Sequence, residues 1–236
     1  MPVDTKTSPV GFRYRGLYGR DYHHTRLHTH TVKYSLENRI RAVTRCIEES
    51  GCAGSIGSVL DVGSADGLLA QGVVSVLSHV DRVYALDMDE QLLGHNPFFA
   101  IRADCSRMPF QDGSFDLISA AAVIEHLSKP HEFLRECRRV LKPGGLLILT
   151  CPAPFFDWVA TKIGYLKDAG HVARYSLRGL KEICAGHGLE TVVARKFMVS
   201  PFGFPGALLV EWSLSRMGLD FFMLNQVIGV RSRSGR

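Results

Sequence analysis

From residue 57 to residue 151 short apolar or β-branched runs alternate with stretches of helical periodicity. A chain with that alternation buries both kinds of element most readily as a parallel sheet flanked by helices, so the fold class read from the residues is α/β. The candidate strands are SVLDV (58–62), RVYALD (82–87), FFAIRA (98–103), FDLISAA (115–121) and LLILTC (146–151). Before the last of these, Pro130 stands where a first helical turn tolerates proline, and Phe133, Cys137 and Val140 form an apolar stripe. The KPGG run at 142–145 then reads as the stop of that helix. Two later runs, 189–199 and 223–232, read as a closing antiparallel pair.

Ahead of the alternating region the pattern differs. Residues 1 to about 34 are irregular, basic and aromatic, and Leu36, Ile40, Val43 and Ile47 then share one helical face, with Ser35 as N-cap and Gly51 as stop. The expected division is therefore an N-terminal lid segment and helix over 1–53 and one domain over 54–236. Within that domain 200–222 forms a cap segment between the last two strands. There Ala207, Val210, Leu214, Met217 and Phe221 fall on one helical face, suited either to packing on the sheet or to covering an apolar pocket or a membrane surface.

Composition narrows the class. With 46% hydrophobic and 22% charged residues the chain is neither disordered nor fibrous. No apolar run reaches the roughly 18 residues of a membrane span, and the first residues lack a secretory apolar segment, so a cytoplasmic location is expected. The six cysteines have no C-x-x-C or paired spacing and read as reduced thiols. A net charge of +5 does not by itself call for nucleic acid.

In an open parallel sheet ligands bind beyond the carboxyl ends of the strands, so the loops after the first three strands belong together. The first is Asp61-Val62-Gly63-Ser64-Ala65-Asp66-Gly67, whose small residues allow close backbone approach but whose G-x-A-x-G spacing departs from the dinucleotide G-x-G-x-x-G. The second strand ends in Asp87, placed to accept from ribose hydroxyls, as carboxylates also do in NAD proteins. In the third loop the Asp104 carboxylate and the Cys105 N–H can read the edge of an adenine.

The stretches VLDVGSADG, VYALDMD, ADCSRMPFQDGSFDLI, AVIEHLSKP and VLKPGGLLILT, in this order over residues 57–151, resemble class I S-adenosylmethionine-dependent methyltransferases, of the type 11-like group that includes quinone and small-molecule methyltransferases. The resemblance implies a Rossmann-like sheet of seven strands, mostly parallel with the last antiparallel, helices on both faces, and S-adenosyl-L-methionine as cofactor. By position, Asp61, Gly63, Ala65 and Gly67 would surround the methionine moiety and Asp87 would hold the ribose. Met88 would pack on the adenine, and Asp104 and Cys105 would meet its edge. The family usually has glycine where Ala65 stands.

Methyl transfer from a sulfonium is an in-line displacement that needs alignment, exclusion of water and at most one proton acceptor. His126, after the fourth strand, and His171, in DAGHVARYS, are the candidate catalytic residues, with Glu125 behind them. No metal is expected: His23, His24, His28 and His30 cluster without an accompanying carboxylate or cysteine set. Tyr14, Tyr18, Tyr22 and Tyr34 are candidates to line the acceptor pocket.

The expected acceptor is a small molecule, lipophilic or glycosidic, methylated at oxygen, with peripheral membrane contact as a further option. The SAAAVIEH run is unlike the Asn/Asp-Pro-Pro-aromatic run of enzymes that methylate amino groups of adenine or glutamine. Three other readings stand beside this one. They are RNA methylation guided by the Arg/Tyr-rich arm, a non-catalytic cofactor-binding protein, and an NAD-dependent oxidoreductase.

Overall fold

The computed structural model describes residues 22–162 and 170–233. In chain order the elements are α1 (Tyr22–His28), α2 (His30–Ser50), β1 (Ser58–Val62), α3 (Leu68–Val74), β2 (Arg82–Asp87), α4 (Glu90–Leu93), β3 (Phe99–Arg102), β4 (Phe115–Ala121), α5 (Pro130–Val140), β5 (Leu141–Pro152), α6 (Pro154–Lys162), α7 (Leu177–Gly186), β6 (Leu189–Phe197), α8 (Ala207–Arg216) and β7 (Asn225–Ser232). The strands form one sheet in the order β3-β2-β1-β4-β5-β7-β6. All neighbouring pairs are parallel except those of β7, which runs antiparallel between β5 and β6. This is the seven-stranded Rossmann-like sheet with an antiparallel last strand.

The central strand β1 is buried along its whole length, which is why it reads as a continuous apolar run rather than an alternating one. The two faces carry separate cores. Phe133, Leu134 and Cys137 of α5 and Leu180 and Cys184 of α7 cover one, while Val43, Cys46 and Ile47 of α2 and Leu69, Ala70 and Val73 of α3 cover the other. Because β2 and β4 flank β1 on opposite sides, chain order reverses there and the loops after β1 and β4 diverge into a crevice.

Three expectations need correction. Helix α2 begins at His30, five residues before Ser35, and its N-cap Thr29 makes no side-chain cap bond. Residues 22–28 are also helical. Thr29 is a favoured N-cap type, but the apolar face that marks the helix in the sequence begins only at Leu36. KPGG does not stop α5: the helix already ends at Val140, and Lys142–Gly145 run inside β5, across a register shift against β4 at Phe115/Leu117. The glycines serve the strand irregularity, since a Cβ on Gly145 would stand 2.9 Å from the Lys142 carbonyl oxygen.

The segment between β6 and β7 contains α8 and a short turn at Asp220–Phe222. Its apolar face is not packed on the sheet. Only Ala207 of that face is buried, while Val210, Met217 and Phe221 are exposed together with Leu208, Leu209 and Trp212.

One packing contact sets how closely α2 approaches the sheet. A Cβ on Gly229 of β7 would lie 2.4 Å from the Cys46 sulfur and 3.7 Å from Val193 Cβ. Gly229→Ala is therefore expected to cost about 1–3 kcal/mol by overpacking, and Cys46→Ala in the same chain should return part of that loss. Urea unfolding of the two variants checks the contact. A neutral Gly229→Ala, or no recovery in the double variant, contradicts it.

Candidate active site

The turn leaving β1 is held by strained backbone. Gly63, Ala65 and Gly67 take φ values of +68°, +48° and +78°, a left-handed alternation that costs little at glycine and of order 1 kcal/mol at Ala65. Neighbours enforce it. The N–H groups of Gly63 and Ser64 both donate to the Leu86 carbonyl, at 2.8 and 3.2 Å, and the Ala65 N–H donates to Asp87 Oδ2 at 2.9 Å. A Cβ on Gly63 would sit 2.4 Å from Val123 Cγ2, and one on Gly67 would sit 2.8–2.9 Å from the Asn96 side chain. Both glycines thus answer close approach as well as positive φ.

Asp61 lies beneath this turn, 2% exposed. It accepts a 2.6 Å hydrogen bond from Ser119 Oγ, while Gly67 serves as N-cap of α3. Burial pushes its carboxyl up to about 6, against the opposing hydrogen bonds of Ser119 and Ser64. Asp87 closes the end of β2, its Oδ1 accepting from the Asp89 N–H at 3.0 Å. Burial raises its pKa, and the surrounding backbone N–H groups only partly offset that.

Met88 is half-buried next to it. The third loop is tied to the second by the Ala103 N–H donating to the Asp87 carbonyl at 3.1 Å. Asp104 spends one oxygen, Oδ1, on the Ser106 N–H and hydroxyl at 2.8 and 2.7 Å. Cys105 is buried, and burial pushes its thiol up to about 12. The structure therefore brings Asp61, Gly63, Ala65, Gly67, Asp87, Met88, Asp104 and Cys105 to one edge of the sheet, at the ends of three adjacent parallel strands.

Sequence reasoning missed what fastens the turn from outside. Asp66 is fully buried and pairs with Arg26 of α1 at 2.7 Å and with His23 at 2.9 Å. The His23 ring in turn lies flat on His95, 4.9 Å between centroids. Asn96 donates to Ser64 Oγ and to the Ala65 carbonyl at 2.9 and 3.2 Å. Partners 40 residues apart leave no periodic or motif signal; the only hint was the concentration of Arg and His in the arm.

On the other side of the crevice, Ala122 turns left-handed at φ +57° after β4. A short turn over Ile124–His126 then buries both Glu125 and His126. The 170–175 segment folds over it. The Val172 and Ala173 N–H groups donate to the Glu125 carbonyl at 2.8 and 3.1 Å, and the His126 and His171 rings meet edge to face at 4.8 Å. The two candidate catalytic histidines are thus in contact.

Burial drives the Glu125 carboxyl up to about 7, moderated by its own backbone N–H, His171 and Arg39. Burial, with the neighbouring His171, brings His126 down to about 4, so His126 is neutral at pH 7 and able to take a proton. Asp157 of α6, also missed, meets His171 Nδ1 at 2.5 Å and bonds Arg174 with its other oxygen. Burial acts to raise its pKa, but His171 and Arg174 outweigh this and hold it low.

Exposed aromatics stand beside this cluster. Phe155 and Trp158 flank Asp157 on α6, and the Phe155 ring lies 4.9 Å from that of Phe221. Tyr34 packs against Gly203, where a Cβ would stand 2.9 Å from its ring. Tyr14, Tyr18 and the Tyr22 side chain lie outside the described residues.

Residues 60–149 match a family model described as a methyltransferase domain. A probable S-adenosylmethionine-dependent methyltransferase of Mycolicibacterium smegmatis is 36% identical over 106 residues, covering 43% of this chain and 39% of that one. A ubiquinone biosynthesis O-methyltransferase of Xanthomonas oryzae pv. oryzae is 31% identical over 102 residues, covering 39% of this chain and 41% of that one. The chain thus spans about two fifths of the length of these curated relatives.

Among solved structures, a S-adenosylmethionine-dependent methyltransferase from Thermotoga maritima superposes with a TM-score of 0.65 at 16% identity, over 90% of this chain and 95% of that one, a likeness of fold. The sheet order, the three acidic and glycine-bearing loops in register at its edge and the family match make residues 60–149 similar to the methyltransferase domain of class I S-adenosylmethionine-dependent enzymes.

Proposed function

We propose that this protein transfers the methyl group of S-adenosylmethionine to a hydroxyl of a small lipophilic acceptor. The observation that carries the reading is the joint geometry of the left-handed turn and Asp87, in which one carboxylate at the end of β2 accepts from the Ala65 and Asp89 N–H groups. In this reading Gly63, Ala65 and Gly67 admit the methionine moiety and Asp61 supplies negative charge beneath it. Asp87 takes the ribose hydroxyls, Met88 packs on the adenine, and the free Asp104 oxygen with the Cys105 N–H meets the adenine edge. No pyrophosphate has to be accommodated.

The acceptor lies against Glu125, His126 and His171. Neutral His126 takes the hydroxyl proton as the oxygen attacks the methyl carbon and the carbon–sulfur bond breaks, leaving S-adenosylhomocysteine. The segment over 200–222 acts as a cap whose exposed Phe221 and Trp212, with Phe155 and Trp158 of α6, offer an apolar approach to the site. Oxygen as the acceptor atom agrees with the name of the Xanthomonas relative, whereas a comparably similar relative of Laribacter hongkongensis is a C-methyltransferase. The N-terminal helices, locked to the cofactor turn by Arg26 and Asp66, act as the lid.

Cofactor choice is tested by thermal unfolding. S-adenosylhomocysteine at 100 times its dissociation constant should add about 2.7 kcal/mol, roughly 5–10 °C for a chain of this size, and NAD should add nothing. A shift with NAD alone overturns the reading. Asp87→Ala should abolish most of the shift, and an undiminished one rejects the ribose assignment.

Asp61 gives a pH-dependent test. Its folded pKa, about 6, lies above the unfolded value near 3.9, so the folded state binds the extra proton and stability falls as pH rises through that window. Asp61→Asn, which cannot ionise, should therefore gain on the wild type by roughly 2–3 kcal/mol between pH 4 and pH 7. It should also lose affinity for S-adenosylhomocysteine. Denaturant unfolding of the ligand-free proteins across that range checks the first point; parallel pH profiles contradict it.

A further inference from the structure

Among the described residues, Glu125 is the least satisfied buried charged group. Both carboxylate oxygens are buried without a hydrogen-bond partner, although its backbone carbonyl accepts two bonds. A carboxylate in that position loses several kcal/mol of hydration unless a cation or donors replace the water. Arg39 favours the ionised form only through space, and its own Nε is also buried without a hydrogen-bond partner. The side chains that converge on Glu125 are metal ligands instead. One ligand atom each from Glu125, His126 and His171 lies within 4.8 Å of the other two.

We propose that Glu125, His126 and His171 bind a divalent transition-metal ion, with Asp157 orienting His171 from behind. A carboxylate and two imidazoles are the donor set of open three-ligand sites, and they favour zinc, iron, manganese or cobalt over magnesium, which prefers oxygen and retains water. Ligand atoms at about 2.0–2.2 Å from a common ion are at most roughly 4.4 Å apart, so side-chain movements of about 1 Å close the set. The outer shell is already in place. The Asp157 carboxylate 2.5 Å from His171 Nδ1 fixes the proton there and leaves Nε2 as the atom that can ligate, and Arg174 holds the other oxygen of Asp157. That is the carboxylate–histidine relay found behind metal-bound imidazoles. The expectation of no metal weighed only the N-terminal histidines; the set here joins residues 45 apart in sequence on two separate loops.

The site opens beside the cofactor turn, because Val123, two residues before Glu125, packs on Gly63. Three protein ligands leave room for an acceptor oxygen, whose proton an ion makes easier to remove; with the ion bound, His126 is a ligand and this effect takes the place of its role as proton acceptor. That use rests on the methyl-transfer reading proposed above, whereas the binding of the ion does not.

The test is titration of the purified, metal-free full chain with Co2+, without cofactor or acceptor, followed by visible d–d absorption. The expected result is a signal that saturates at one equivalent and is displaced by Zn2+ but not by an equal concentration of Mg2+. Glu125→Gln and His171→Ala should each weaken binding at least a hundredfold. Asp157→Asn, which leaves all three ligands, should weaken it by about 10–100-fold. Three other histidine pairs, His23/His95, His24/His28 and His131/His187, lie in ring contact, so a chain with His95→Ala, His28→Ala and His187→Ala is the control and should bind as the wild type does. Far-ultraviolet circular dichroism confirms that each variant is folded. Absence of a saturable signal overturns the proposal. So does a signal that survives Glu125→Gln and His171→Ala and disappears in the control chain.

Discussion

The hydrogen bond from the Ala65 N–H to Asp87 joins the two loops on which the site depends. It ties the turn after β1 to the end of β2, and it does so by drawing a non-glycine residue into left-handed backbone. Such a conformation persists only where surroundings overdetermine it. Here the Leu86 carbonyl accepts from two successive N–H groups, and Asn96 holds the turn from the far side. The result is a cradle of backbone rather than side chains, open to a ligand that approaches closely and is held by carboxylates at its polar ends.

Two further contacts extend this unit. Asp66 reaches outward to Arg26 and His23. Since a buried carboxylate deprived of its partner costs several kcal/mol, the N-terminal helix and the turn are energetically one piece. Val123 reaches inward, filling the space a side chain on Gly63 would need, so the turn that carries Glu125 and His126 is positioned by the cofactor loop itself. In the proposed reading, cofactor side and acceptor side thereby share a wall. Beyond that turn, Phe155, Trp158 and several residues of 202–222 leave apolar surface exposed, the observation on which the proposal of a hydrophobic acceptor draws.

The sheet was legible because its information is local. Period-two and continuous apolar runs marked all seven strands to within a few residues, and Gly63, Asp87 and Asp104 stood at strand ends where the α/β architecture places ligands. Errors arose where local chemistry pointed one way and tertiary structure another. Lys142–Gly145 carries Pro and Gly signals that elsewhere end helices, yet here they shape an irregular strand. Ser35 directly precedes the apolar face that starts at Leu36, so the sequence reads as a helix from there, although α2 begins after Thr29. The stripe on α8 has the spacing of a core face but stays exposed, since spacing alone does not say what covers a face. The pairs Arg26–Asp66 and Asp157–His171 were beyond sequence reading, because each joins loops whose proximity only the folded chain creates.

A crystal structure with S-adenosylhomocysteine tests the central claim most directly. The account predicts the ribose hydroxyls on Asp87, the adenine edge at Asp104 and Cys105, the homocysteine chain over Gly63–Gly67, and the sulfur facing Glu125, His126 and His171. A ligand bound away from the turn, or one whose sulfur points away from that cluster, would contradict it.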